Sequence, residues 1–188
     1  MGSPLSSSWK RSLPSLFSGK AYRIVLLQYE RDGYGLGTEE HLHWAFALLK
    51  PNQIHGKTFQ VFARQYSDER GLVWESYLNR SVALDETRKC LGGVEVGVIA
   101  KRDLHKFHQV IAGHPPVSKF EGWNCRDWIV EVVSLLAAHG WAASFISDQA
   151  AFLPSLKHAS RVTKSIYDLH SDKVPATIVP LERLGARG

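Results

Sequence analysis

Residues 41–49 read His41-Leu42-His43-Trp44-Ala45-Phe46-Ala47-Leu48-Leu49, and the alternation in that run decides the fold. Successive side chains of an extended chain point to opposite faces. His41, His43, Ala45 and Ala47 therefore share one face, and Leu42, Trp44, Phe46 and Leu48 the other. One face is small and polar; the other is bulky and apolar. Such a strand needs neighbours, and the flanking sequence supplies them. Tyr22 to Tyr29, rich in Ile, Val and Leu, predicts a strand covered on both faces. Beyond a turn at Pro51 to Lys57, Thr58 to Arg64 alternates again and predicts a hairpin partner. Leu72 to Leu78 and Gly93 to Ala100 predict two more strands. The connections are too short for helical crossovers, so the expectation is an antiparallel sheet of about five strands.

Helical signals follow the strands, which makes the fold class α+β. Asp103 stands where a cap for Leu104 to Ala112 belongs, and Gly113 with Pro115-Pro116 ends that helix. Asn124 caps a longer one, in which Trp128, Ile129, Val132, Leu135 and Leu136 recur at helical spacing until Gly140. A third stretch, roughly 148–169, is interrupted by Pro154 and carries Lys157, Arg161 and Lys164 as a basic stripe, a solvated face or an anion-binding one. The domain organisation expected is a Ser-rich, acid-free leader over 1–20, read as disordered with a targeting segment as the alternative, one α+β domain over 21–170 and an irregular tail over 171–188. The alternating Gly33, Gly35 and Gly37 have no helix after them, so they read as a loop over a cleft rather than a phosphate loop.

Composition narrows the function classes. With 188 residues, 44% hydrophobic and 22% charged, the chain is neither collagen-like, coiled-coil nor wholly disordered. Its longest apolar runs fall well short of the ~20 residues of a spanning helix, so no integral membrane association is expected. Lys+Arg 23 against Asp+Glu 18 leaves a charge of +5, which favours encounter with phosphates or acidic partners, nucleic acid among them, without selecting one. Two cysteines, Cys90 and Cys125, make no disulfide scaffold and fit a reducing, cytoplasmic setting. The histidine pairs His41/His43 and His105/His108 come without a zinc-type motif or carboxylates, so neither metal nor cofactor is expected. Oligomeric state is not legible.

Cys125 carries the chemical interest. The first turn of a helix offers unpaired N–H groups and the positive end of the macrodipole, which favour a thiolate. Positions 128, 129, 132 and 136 lie on the same face, so the sulfur belongs at the edge where helix meets sheet. If that helix docks on the small face of strand 41–49, Ala45 and Ala47 allow close approach and leave His43, or His41, beside the helix start. An imidazole there serves as base and later as acid. Gln60, on the next strand, or His55, in the turn before it, would orient the ring. The helix start, Asn124-Cys125, contributes a backbone N–H for an oxyanion.

His43-Trp44-Ala45 opening a strand, followed later by Asn124-Cys125 opening an amphipathic helix, resembles the permuted branch of the papain-like NlpC/P60 superfamily. That branch includes the lecithin:retinol acyltransferase-like proteins and the PPPDE-type isopeptidases. The resemblance covers about residues 21–140 and implies a permuted papain-like fold, Cys125 as nucleophile and His43 as base. It implies thiol-based transfer or hydrolysis at an amide, isopeptide, ester or thioester carbonyl, with aminoacyl-tRNA among the donors that would suit the basic charge. Arg126-Asp127-Trp128 replaces the acidic-then-aromatic run of the lipid enzymes, and no long apolar C-terminal anchor follows. A non-catalytic module of the same fold, binding a protein or an anionic partner, is the other reading.

Overall fold

β2 (His43–Leu49) lies inside the sheet, between β1 (Ala21–Tyr29) and β3 (His55–Gln65), and every residue of it is buried. The computed structural model describes residues 21–31, 41–86, 89–144, 147–169 and 174–181. The proposed leader and the Gly33, Gly35 and Gly37 loop lie outside those residues. β4 (Leu72–Ala83), β5 (Cys90–Ala100) and β6 (Ile178–Pro180) complete a six-stranded sheet in the order β4-β3-β2-β1-β5-β6.

The expected five antiparallel strands are thus six, and the sixth runs parallel to β5. It comes from the tail expected to be irregular. Three residues are too few to show a period; Ile178–Pro180 becomes a strand because the outer edge of β5 offers unpaired backbone groups, beginning with Gly93 N–H to Thr177 O at 2.9 Å.

Three helices follow: α1 (Leu104–Ala112), α2 (Cys125–Ala138) and α3 (Leu153–Leu169). Asp103 makes no side-chain cap, since a 3-10 turn over Lys101–Asp103 runs straight into α1. Pro154 begins α3 rather than interrupting it, because the first helical turn requires no N–H.

The main core unites Ile24, Leu26, Trp44, Phe46, Phe59 and Val61 of the sheet with Trp128, Ile129 and Val132 of α2. α2 therefore docks on the bulky face of β2, against the expectation that it would choose the small one. Phe46 meets Trp128 edge-on with centroids 6.5 Å apart. Each large apolar side chain buried this way contributes about 1.5–3 kcal/mol, so the face with more carbon takes the helix. The opposite face keeps a smaller cluster of Val25, Leu27, Ala47, Leu49, Leu84 and Cys90. Gly97 lets the segment after α2 close on β5: Val98 N–H bonds Trp141 O at 3.0 Å, and a Cβ at position 97 would collide with that carbonyl.

Candidate functional site

The start of α2 is held by a reciprocal cap. Asn124 Oδ1 accepts from Arg126 N–H at 3.0 Å while the Asn124 N–H donates to Asp127 Oδ2 at 2.9 Å. A second set of bonds anchors the approach to it. Glu131 accepts from His114 at 2.7 Å, from Lys119 at 2.8 Å and from the Trp123 indole at 2.9 Å. Burial pulls the Glu131 carboxyl upward, but the donors from Lys119, Trp123 and His114 outweigh it and hold it below its ordinary value. The segment delivering Asn124 and Cys125 is thereby pinned to the helix it precedes.

Cys125, the first residue of α2, is 1% exposed and belongs to the main core. Arg31 Nη2 donates to its Sγ at 3.3 Å. His43 opens β2, stacks on Phe62 with ring centroids 4.5 Å apart, and places Nε2 3.1 Å from Gln60 Oε1. An amide oxygen only accepts, so Nε2 carries the hydrogen and Nδ1 keeps the lone pair. Burial drives the imidazole down to about 4; the Gln60 bond opposes this and the Arg31 charge adds to it. The ring is neutral at neutral pH.

Strand alternation puts His43 on the side of Ala47 and Leu49, across the sheet from α2. Among the described residues no hydrogen bond joins Cys125 to His43. Arg31, just beyond the end of β1, connects them: it donates to the sulfur and its charge reaches the imidazole. Arg31, His43, Gln60, Phe62, Trp74 and Asn124 line a cleft of about 820 Å³ at this end of the sheet. Trp74 packs edge-on against Trp123, 5.0 Å between centroids, joining the cleft wall to the start of α2.

Other sequence candidates fall elsewhere. His41 precedes β2, is exposed and does not line the cleft. His55 is exposed at the opposite end of β3, opposite Ala83. Register, not spacing, selects the partner of His43, and it selects Gln60. Lys157, Arg161 and Lys164 line a separate groove of about 530 Å³ on α3 with Ser160, Ser165 and Asp168. Cys90 is a free, buried thiol that burial pushes up to about 11. Cys125 is likewise free. Among the described residues no cluster of three or more His, Cys, Asp or Glu is placed to hold a metal ion, and no helix is long and apolar enough to cross a membrane.

Sequence reading missed Arg31, Phe62 and Trp74. Arg31 had a usable signal, since antiparallel pairing of β1 with β2 sets Tyr29 opposite His43 and brings the next residues to the histidine end. The other two are ordinary aromatic strand positions until β3 and β4 pair.

No curated protein and no solved structure matches the chain. A sequence family, described as a Family of unknown function (DUF6914), matches residues 22–151, a span that holds the cap, the cysteine, the histidine and the cleft, and the chain belongs to it.

Proposed function

We propose that the chain is a permuted papain-like, cysteine-dependent acyl-transfer enzyme acting at an amide, isopeptide, ester or thioester carbonyl. The observation that carries the reading is the bond between His43 and Gln60 in a cleft lined by Arg31, whose guanidinium also bonds the buried thiol of Cys125. With Nε2–H committed to Gln60, Nδ1 keeps the lone pair that takes the thiol proton, a transfer that requires Sγ to leave Arg31 and swing to the imidazole when substrate binds. Sγ attacks the carbonyl carbon, and the N–H groups of the α2 start receive the negative oxygen. The tetrahedral adduct collapses as the imidazolium protonates the leaving amine, alcohol or thiol, which leaves a thioester on Cys125. Water or a second nucleophile, deprotonated by the same nitrogen, releases the acyl group and restores the thiol. Arg31 provides the electropositive neighbour that nucleophilic cysteines use.

Resting geometry also supports a second reading, a binding module of the same fold for a protein or anionic partner, because Cys125 is 1% exposed and its Sγ is bonded to Arg31 instead of to an imidazole. Iodoacetamide labelling of Cys125, followed over time by peptide mass spectrometry, separates the two. The enzyme reading expects Cys125 to be alkylated at neutral pH and that rate to fall sharply in His43→Ala while Cys90 is unchanged. Equal rates in both proteins leave the binding module.

A further inference from the structure

Among the described residues, Arg31 and Arg80 bring guanidinium groups to the cleft lining. The His43 imidazole adds no charge at neutral pH. Alongside them lie Val61, Phe62, Trp74 and Val82, and Phe62 is 39% exposed. Arg31 spends one bond of its guanidinium fork on Cys125 Sγ. A guanidinium carries five N–H donors in a plane suited to carboxylate or phosphate oxygens, so the group that holds the sulfur has further donors for an anion next to it. A cleft of about 820 Å³ accommodates a small ligand of mixed character.

We infer that this cleft selects acyl donors that carry an anionic group, a carboxylate or a phosphate, read by Arg31 with Arg80, and an apolar portion lying against Phe62 and Trp74. The inference deepens the acyl-transfer reading and rests on it for the word donor; the anion preference stands on the lining alone. An anion held at Arg31 sits against the same guanidinium that bonds Cys125 Sγ, which ties anion binding to the sulfur. Arg31 is then a specificity-determining residue.

Calorimetric titration of the full chain with octanoate, octyl phosphate and octanamide tests it directly. At least one anion is expected to bind about tenfold more tightly than the neutral amide, the scale of a charge-assisted contact. Which of the two is tighter distinguishes carboxylate from phosphate. Arg31→Gln and Arg80→Gln are each expected to erode the preference, and the exposed Arg80 position lets the second variant keep the fold. Equal binding of all three probes, binding of none, or a preference unchanged in the double variant overturns the inference. Labelling of Cys125 keeps the two proposals apart. A reactive thiol without anion preference removes only this inference, while anion preference beside an unreactive thiol removes only the catalysis.

Discussion

His43 Nε2 meets Gln60 Oε1 at 3.1 Å across adjacent strands, beneath the ring of Phe62. That contact decides which nitrogen of the imidazole carries hydrogen. Gln60→Leu removes the acceptor while keeping bulk, and a buried N–H loses its partner, at a cost of about 1–3 kcal/mol. Urea unfolding reads the loss of stability, and nitrogen NMR of the imidazole is expected to show the Nε2–H tautomer giving way to a mixture. An unchanged tautomer would mean that something other than Gln60 orients the ring.

His43 also makes stability depend on pH. Its folded value of about 4 lies below the ordinary 6.5, so between these values the unfolded chain binds more protons than the folded one. Stability is fully present above pH 6.5 and falls as the pH drops toward 4, by about 3 kcal/mol over that window. Urea melts of the wild type and of His43→Asn at several pH values are expected to show a steeper acid loss in the wild type. Parallel profiles would contradict the neutral buried imidazole.

Glu131 acts at lower pH. Its carboxyl is held below the ordinary 4.5 by Lys119, Trp123 and His114 against the upward pull of burial. The stability it contributes is present above that ordinary value and is lost as pH falls through the folded one. At neutral pH Glu131→Gln is expected to cost about 1–3 kcal/mol. Hydrogen exchange should rise over 113–124, the segment it pins, before it rises in β1 or β2.

The cap at Asn124 is testable separately. Asn124→Ala removes an acceptor for Arg126 N–H and should cost about 1 kcal/mol, with Asn124→Gly milder. If Cys125 reactivity depends on the helix start, its labelling rate falls in the alanine variant while Cys90, buried elsewhere, is unaffected.

Gly97→Ala tests how the segment after α2 reaches β5. A methyl group there meets the Trp141 carbonyl, backbone that has little room to move. The bonds Val98 N–H to Trp141 O and Ala143 N–H to Val96 O must then lengthen. A loss of about 1–3 kcal/mol in denaturant unfolding is expected; a neutral effect would mean the segment shifts freely.

Local pattern was enough for β1 to β5, α1 and α2. Period-two alternation in β2, the apolar run of β1 and the Asn124 cap before α2 each depend on residues close in the chain, so they are visible without a fold. The pairing of Gln60 rather than His55 with His43 was visible only as a choice, because strand register settles it and register is a property of two strands. The docking face of α2 was misjudged for a related reason. Close approach at Ala45 and Ala47 is a local argument, whereas the helix follows the total apolar area that Trp44, Phe46 and Phe59 assemble from two strands. Arg31 and β6 mark the same boundary. A guanidinium after a strand and three residues in a tail carry no period, and each acquires its role from a distant surface: Arg31 from a sulfur 94 positions away, and Ile178–Pro180 from the open edge of β5. Backbone propensity and side-chain periodicity are short-range and are written in order along the chain; hydrogen-bond partners and buried area are set by what the packed sheet brings together.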